Sequence, residues 1–447
     1  MNKNVTDFFD NEYLEYAQYV VKNRAIPSCI DGLKPTQRKV VFVANKIWKG
    51  GKEKPMKLFQ LAGRVASEAY YHHGNTSLEN AMVGMAQKFK NSLPLLDGIG
   101  QFGSLRSPSA GAPRYISAKL HSNFRSIYKD FELLTPNIEE GEEIEPNFFL
   151  PIIPTVILNG SSGIAVGFST NILNRNPLDV VNACVDELSG KPIKTLSPWL
   201  NEFNGTFTRD PVNPKAWKIL GKYEVKNTTT VKVTEIPPNL TYEKYENHLN
   251  NLVSKKWIIS YEDNSSDKIE YILKFNRAQL AEYIKKNKLN YVLRIESSET
   301  ENLTTIDETG NVLIFERAED IVKYFVNIRL RWYQTRKTYL IQKLKKELLV
   351  MGNKARFIKN IIEGYLIVNN VPKKEIISYL ETYFYDKLDG SFNYLLNLPI
   401  YTLTKERYEE LLKQLEFKRA ELEKIESLKI KNMYLSDLNE LKKSLKK

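Results

Sequence analysis

The sequence predicts a multidomain α+β fold, and three observations support that prediction. The chain has 447 residues, of which 42% are hydrophobic, enough for two to four domains with cores of their own. Between about residues 200 and 315, short β-branched runs alternate with polar helical segments, which is typical of an α+β domain. From residue 318 onward the spacing of apolar residues is helical. The predicted domains are 1–190, 191–317 and 318–447.

The first predicted domain mixes helices, loops and short strands. Apolar residues recur at helical spacing in two segments, Tyr13, Tyr16, Ala17, Val20 and Val21, and then Val40, Val41, Ala44 and Ile47. The loop between them contains Pro27 and Pro35, which interrupt helices. Residues 91–115 are rich in Gly, Ser and Pro and predict turns and exposed loops. Residues 148–170 predict buried strands that flank a tight turn.

The last predicted domain contains two long helices with apolar seams. The residues at seam spacing are Ile321, Phe325, Ile328, Trp332, Leu340, Leu344 and Leu348 in the first helix, and Leu411, Leu415, Leu422 and Ile425 in the second. Charged helices with such seams predict a long antiparallel coiled coil. Residues 352–398 between them would form a compact helical cap. An ordinary helical bundle is the alternative.

Charge and cysteine content narrow the class of protein. The net charge of +12 favours a polyanionic partner, nucleic acid first and an anionic membrane surface second, although a merely lysine-rich protein would share it. Cys29 and Cys184 match no ligand spacing, which argues against a disulfide framework or a zinc site. The polar N-terminus and the lack of a long apolar run predict a cytoplasmic protein without membrane spans.

Two polar clusters near the N-terminus are candidates for phosphate contacts. Arg24, Lys34, Arg38 and Lys39 lie beside turn prolines, where basic side chains suit DNA phosphates, although such clusters are often only a solvated face. His72 and His73 are adjacent, so they form a poor metal pair. Donation to a phosphate fits them better. The alternative is a loop before a helix that Asn75 or Thr76 caps.

Arg114 and Tyr115 form a candidate catalytic pair in the Gly/Ser/Pro-rich segment. A phenol with a pKa near 10 is a weak nucleophile, and neighbouring cations are needed to activate it. Because the chain has 25 tyrosines, a packing role for Tyr115 is the alternative. Farther along, Ile164 ends a Gly-Ser-Ser-Gly turn. It could wedge between DNA bases, or it could lie in the core.

Five strings in a fixed order resemble the cleavage subunits of type IIA DNA topoisomerases, such as the A subunit of bacterial gyrase and the C-terminal half of eukaryotic topoisomerase II. They are NRAIPSCIDGLKPTQRKV, YYHHGN, LLDGIGQFGS, GAPRYI and LPIIPTVILNGSSGIAVGFSTNI. The mixture of bacterial-like GSSGIAVG with eukaryote-like YHHG and PIIP is similar to the medium subunits of the split bacteriophage enzymes of the T-even-like group.

The resemblance implies a fold and a set of site residues. It implies a winged-helix DNA-cleavage domain, an α/β tower, and a long antiparallel coiled coil with a helical dimerisation gate at 352–398. Tyr115 would form a 5′-phosphotyrosyl bond, Arg114 would stabilise the transition state, and His73 with His72 would lie near the scissile phosphate. The remaining DNA-binding candidates are Arg24, Lys34, Arg38, Lys39 and Asn75, with Ile164 as the intercalating residue.

The resemblance also implies partners and cofactors. The sequence shows no Gly-rich nucleotide-binding loop and no acidic cluster of the kind that holds Mg²⁺. We therefore expect ATP and Mg²⁺ to be bound by separate ATPase and TOPRIM subunits. The expected enzyme is a homodimer that relaxes, decatenates or unknots double-stranded DNA, in a bacterial host cytoplasm if the chain is viral. The alternatives are a non-catalytic dimeric DNA-bending protein and a tyrosine nickase or recombinase that works alone.

Overall fold

The computed structural model describes residues 9–49, 54–266 and 268–446. Their contacts divide them into two compact units, one formed by the residues up to Arg329 together with those from Leu435 onward, the other by Leu330–Tyr434. Helices and strands occur together throughout the first unit, and the second is helical. The predicted α+β class is confirmed. The division into domains at 190 and 317 stays a prediction.

The helices, numbered along the described chain, are α1 Leu14–Val20, α2 Pro35–Ile47, α3 Leu58–Glu68, α4 Asn75–Ala86, α5 Ser122–Ile127, α6 Thr155–Leu158, α7 Pro177–Leu188, α8 Tyr242–Ser254, α9 Arg277–Lys285, α10 Leu289–Leu293, α11 Ala318–Ile362, α12 Lys373–Thr382, α13 Asn393–Leu396, α14 Lys405–Ser427 and α15 Ile430–Ser444. Short π-helical turns cover Phe9–Tyr13 and Val21–Ala25, and 3-10 turns cover Phe131–Leu133 and Ile400–Thr402.

The strands are β1 Met56–Lys57, β2 Leu96–Ile99, β3 Ser117–Leu120, β4 Tyr128–Lys129, β5 Pro136–Glu139, β6 Glu142–Pro146, β7 Leu150–Pro151, β8 Ser161–Ile164, β9 Ser169–Ile172, β10 Thr206–Arg209, β11 Ala216–Leu220, β12 Lys222–Asn227, β13 Thr230–Glu235, β14 Ser260–Asp263, β15 Tyr271–Lys274, β16 Glu296–Thr300, β17 Leu303–Ile306 and β18 Val312–Phe315. These strands pair in the antiparallel sense.

Helices α2, α3 and α4 pack together beside the small sheet of order β1-β3-β2. Helix α2 buries Val40, Val41 and Ala44, as its apolar spacing predicts. It begins at Pro35, where the missing N–H of proline costs nothing, and the Gln37 side chain accepts a hydrogen bond from the Lys34 N–H. This cap fixes the start of α2 next to the candidate basic residues.

Residues 148–170 are buried in their first half, but the prediction of strands there is only partly right. Leu150–Pro151 forms a two-residue strand, whereas Thr155–Leu158 forms one helical turn in which all four residues are buried. Pro154 precedes that turn and has no N–H to donate to a neighbouring strand. A continuous strand is therefore interrupted, and the chain returns to strand only at Ser161.

The α/β region between residues 206 and 300 contains two sheets. One has the order β10-β11-β16 and the other β12-β13-β15-β14. Helices α8, α9 and α10 contribute to the core of the four-stranded sheet, in which Val231, Tyr245, Tyr271 and Leu280 are almost fully buried. These residues come from alternating strand and helix segments, as the alternation of β-branched runs and polar helical segments in the sequence predicts.

In the second unit, two long helices run side by side in opposite directions. Lys345 pairs with Glu426 and Lys418 with Glu347, each at 2.9 Å, so ascending positions on α11 meet descending positions on α14. The predicted antiparallel pairing is confirmed. Between them, a second apolar core forms the predicted compact cap from Phe357, Leu366, Leu380, Tyr385, Phe392 and Leu395. Among the described helices, none is both long and apolar enough to cross a membrane.

Candidate nucleic-acid interface

A cleft of about 1070 Å³ opens on the first unit and gathers four of the polar candidates. We call it the basic cleft. Its principal lining residues are Asn23, Arg24, Lys34, Tyr71, His72, His73, Ser77, Asn80, Lys90, Asn159, Ser161, Ser162, Asn171 and Asn174. Among the described residues that line it there is no carboxylate. Cationic and amide donors without a competing acid suit a polyanion.

A buried carboxylate fixes the turn that carries Lys34 into this cleft. Asp31 is fully buried and accepts hydrogen bonds from the backbone N–H groups of Leu33 and Phe149. Gly32 has a φ of +67°, and a Cβ there would lie 2.5 Å from the Val156 nitrogen, so only glycine fits. Lys34 Nζ then donates to the Ser162 carbonyl at 2.7 Å. Burial lowers the pKa of Lys34.

The expectation that Arg38 and Lys39 contact DNA does not fit their positions. Arg38 is 7% exposed, and its Nε donates to Asp31 Oδ2 at 2.7 Å. Lys39 Nζ lies 2.9 Å from Glu145 Oε1 and also donates to the Ala69 carbonyl. Neither residue lines the basic cleft. Because their charges are already paired within the fold, we assign both a structural role.

The two histidines lie at the cleft and point to different partners. Tyr19 Oη lies 3.4 Å from His73 Nε2, and the Tyr71 ring meets the His73 ring edge-on at 5.3 Å between centroids. His72 Nε2 lies 3.1 Å from Glu139 Oε1. Both histidine side chains are exposed, so both can reach a bound ligand. Asn75 is the first residue of α4 rather than its cap, is exposed, and lies outside the cleft lining.

Ile164 lies at the end of β8, on a hairpin whose Ser161 and Ser162 line the cleft. Its side chain is 87% exposed, which excludes the alternative that it belongs to the core. The hairpin is seated closely, because a Cβ at Gly163 would lie 2.2 Å from the Ala25 carbonyl oxygen. An apolar side chain held out from a seated hairpin has the form of a wedge.

Tyr115 is on a separate feature, which we call the tyrosine loop (residues 100–116). Its side chain is 73% exposed, and the Arg114 guanidinium lies 6.0 Å from the centre of its ring. The Tyr115 N–H donates to the Ala112 carbonyl at 2.9 Å, and its own carbonyl accepts from Lys57 Nζ at 2.8 Å. Tyr115 and Arg114 do not line the basic cleft. The backbone at the phenol is therefore held while the phenol remains accessible.

The tyrosine loop is less exposed than its Gly, Ser and Pro content predicts. Phe102 and Arg106 are 8% and 6% exposed, and strand β2 precedes the loop. Gln87 is buried at the end of α4 and donates to the carbonyls of Phe102 and Pro108 at 2.8 and 3.0 Å. The prediction of turns and exposed loops over residues 91–115 is only partly right: the segment is mostly irregular, but parts of it are buried, and side chains from elsewhere satisfy its buried carbonyls.

Several residues of the interface were missed at the level of sequence. Lys57 bonds the Tyr115 carbonyl, and Gln87 and Arg106 anchor its loop. Lys90 and the asparagines at positions 159, 171 and 174 join the cleft from segments far apart in the chain. Each is an ordinary surface residue type, and only the packing of distant segments shows its position. The one available hint was the asparagine-rich run NILNRN at 171–176.

The side chains around Tyr115 do not fit a divalent metal site of their own. In residues 9–49, 54–266 and 268–446, no group of three or more His, Cys, Asp or Glu side chains is placed to hold a metal ion. Cys29 and Cys184 are both buried, and they do not form a disulfide.

The fold and the two features define a class of protein. The sequence model of the A subunit of DNA gyrase/topoisomerase IV matches residues 24–441. The chain belongs to this family. It is 33% identical to the DNA topoisomerase medium subunit of Enterobacteria phage T4, with 99% of both chains covered.

Eukaryotic relatives match over part of their length. The chain is 32% identical to DNA topoisomerase 2 of Plasmodium falciparum, covering 98% of this chain and 34% of that protein. It thus spans about a third of the length of that relative. It likewise covers 35% of the length of the mitochondrial DNA topoisomerase 2 of Dictyostelium discoideum. The crystal structure of the DNA-binding, cleavage and re-ligation domain of Plasmodium falciparum topoisomerase II superposes with a TM-score of 0.86 at 32% identity, covering 98% of this chain and 64% of that one.

Proposed function

We propose that the chain is the DNA breakage-reunion subunit of an ATP-dependent type IIA topoisomerase, with Tyr115 as the nucleophile. The observation that carries the proposal is an exposed tyrosine, paired with an arginine and held on an anchored loop, in a chain of the gyrase/topoisomerase IV family. Support comes from the T4 relative, which is named as a topoisomerase subunit.

The chemistry needs one bond exchange at phosphorus. Tyr115 Oη attacks the phosphate, a phosphotyrosyl bond forms to the 5′ side of the break, and the 3′ oxygen leaves with a proton. The reverse attack by that oxygen reseals the strand, so breakage and reunion consume no net bond energy. Arg114 lies beside the ring and would stabilise the charge that develops on the phosphate.

In the proposed function, the basic cleft binds the DNA backbone. Arg24 and Lys34 would contact phosphates, and exposed His72 and His73 would donate to phosphate oxygens close to the break. Exposed Asn75 remains a candidate for a contact at the cleft's margin. Ile164 would insert between base steps and bend the duplex. Arg38 and Lys39 are left out of this contact set because their charges are paired in the fold.

We also propose that separate subunits bind Mg²⁺ and ATP through TOPRIM and ATPase modules. Among the described residues, no group of three or more His, Cys, Asp or Glu side chains is placed to hold a metal ion. The name of the T4 relative, a medium subunit, supports an enzyme divided among several chains. The bacterial host cytoplasm is the proposed location, on the same likeness to a phage protein.

Homodimerisation is proposed to occur through the cap of the second unit. In the cap and in the 3-10 turn that follows it, several large apolar side chains are more than half exposed, among them Tyr365 (70%), Ile367 (66%), Phe384 (87%), Ile400 (87%) and Tyr401 (80%). Such a concentration of exposed apolar area marks an interaction surface. A second copy of the chain is the partner that a two-strand break requires, with one Tyr115 for each strand. Removal of this surface would leave a monomer in sedimentation experiments.

Covalent trapping tests the proposal. The purified chain, candidate ATPase/TOPRIM subunits, Mg²⁺ and supercoiled plasmid would be mixed and stopped with detergent, and DNA-linked protein mapped by mass spectrometry. We expect a 5′ adduct at Tyr115. The rival function is that of a non-catalytic dimeric DNA-bending protein. It is supported if the assembled subunits bind and bend DNA without any adduct.

A further inference from the structure

The tyrosine loop contains a buried arginine whose contacts lie far along the chain. Arg106 is 6% exposed, and its Nη1 donates to the carbonyls of Pro237 and Leu240 at 2.6 and 3.0 Å. Its Nη2 donates to Glu235 Oε1 at 2.6 Å and to the Ile236 carbonyl. One guanidinium thus donates hydrogen bonds to four acceptors of a single segment, residues 235–240.

That segment is itself well fixed. It joins the end of β13 to the start of α8, next to the core of the four-stranded sheet. Glu235 is 4% exposed, and its second oxygen accepts a hydrogen bond from the Asn204 N–H at 2.9 Å. The Tyr242 N–H donates back to the Arg106 carbonyl at 3.2 Å. The tyrosine loop is therefore docked on the α/β region by both the side chain and the backbone of Arg106.

Further hydrogen bonds hold the rest of the tyrosine loop in place. Gln87 holds the carbonyls of Phe102 and Pro108 on either side of Arg106. The backbones of Ser104 and Ser107 bond each other at 2.9 and 3.2 Å, and the Gly111 N–H donates to the Gln101 carbonyl. These bonds close a compact arc, after which Ala112 bonds the backbone of Tyr115.

We infer that Arg106 is a positioning residue for Tyr115, which it locates by docking the tyrosine loop on residues 235–242. The inference rests on the proposed function. Arg106 touches no reacting atom, so it would act through the placement of the phenol against the phosphate. A displacement of about 1 Å costs a reaction of this kind up to about a hundredfold in rate. A lysine would keep the charge opposite Glu235 but could not fill all four acceptors.

The chain offers a matched control for such a substitution. Arg175 is fully buried, donates to the carbonyls of Leu173 and Leu196, and forms a bidentate pair with Glu301. It has the same chemistry as Arg106, and these three partners lie outside the tyrosine loop. Arg175→Lys therefore measures what the loss of a buried arginine fork does to the fold alone.

The experiment compares Arg106→Lys with Arg175→Lys in the full chain assembled with its partner subunits. We would measure the rate of adduct formation, the DNA dissociation constant and the melting temperature of each. For Arg106→Lys we expect the rate of adduct formation to fall at least about tenfold with an unchanged dissociation constant, and for Arg175→Lys an unchanged rate. Hydrogen exchange of residues 100–116 should accelerate only in Arg106→Lys.

Glu235→Gln is the second variant. It removes the charge from the same contact while it retains an amide oxygen as acceptor, so we expect a smaller fall in rate in the same direction. If wild type forms no adduct, the proposed function fails. If wild type forms the adduct and Arg106→Lys forms it at the wild-type rate, or if Arg175→Lys slows it equally, the positioning role is overturned while the proposed function stands.

Discussion

The tyrosine loop and the basic cleft belong to the same compact unit but are built in opposite ways. The loop is held by buried side chains, Gln87 and Arg106, and exposes one phenol with one arginine beside it. The cleft is open and lined by polar side chains, most of them exposed or half-buried, from segments scattered over about 150 residues. A fixed nucleophile suits bond exchange, which depends on orientation. A spread of cationic and amide groups suits a backbone of repeating charge, which depends on electrostatics.

The largest effect should come from the phenol. Tyr115→Phe removes the nucleophilic oxygen alone, so we expect loss of all covalent adduct and of relaxation, with DNA affinity unchanged in a gel-shift titration. Tyr291→Phe is the matched control, because Tyr291 is 76% exposed against 73% for Tyr115 and lies in the α/β region. If Tyr115→Phe still formed adduct, the tyrosine loop would lose its assigned chemistry.

The second largest effect should be on stability, and it should distinguish buried Arg38 from exposed Arg24 in the same basic segment. Arg38→Ala leaves the Asp31 carboxylate buried without its ion-pair partner, so we expect the free energy of unfolding in urea to fall by about 3–5 kcal/mol. Arg24→Ala should change it by less than about 0.5 kcal/mol, since that side chain is exposed. Equal stability of the two variants would contradict the structural role given to Arg38.

Charge removal in the cleft should weaken DNA binding moderately. For Arg24→Ala or Lys34→Gln, we expect a weaker affinity and a decrease of about 1 in the magnitude of the negative slope of log K against log salt, because one phosphate contact is lost. Binding isotherms at four salt concentrations measure this. Lys191→Gln, at an exposed position outside the cleft, provides the control. A slope that does not change for either cleft variant would place the DNA elsewhere.

The smallest effect should come from the wedge. Ile164→Ala keeps the hairpin and shortens the exposed side chain, so DNA should still bind, with a smaller bend. Energy transfer between dyes at the two ends of a short duplex would report the change in bend angle. Val212→Ala is a control, since Val212 is 90% exposed on another turn. An unchanged bend in Ile164→Ala would remove the wedge from the proposed function.

Much of the fold follows from local patterns. The helical spacing of Val40, Val41 and Ala44 correctly predicts a buried face of α2, and the seams with Leu344 and Leu411 correctly predict an antiparallel helix pair. In both cases the period of the apolar residues alone determines which face is buried. The helical turn at Thr155–Leu158 shows the limit. A short apolar run does not distinguish strand from helix, and here Pro154 interrupts the strand.

By itself, the sequence determined the long helices with their apolar faces, the family, and Tyr115 as the candidate nucleophile, because period, motif order and residue chemistry are properties of neighbours in the chain. Only the tertiary structure decided which basic side chains are accessible to DNA. Arg24 and Arg38 look alike in the sequence, yet one lines the cleft and the other is buried against Asp31. Likewise, Arg106 belongs to a loop that reads as exposed, and its partners lie about 130 residues away. Burial and pairing depend on segments brought together by folding, and no local pattern carries that information.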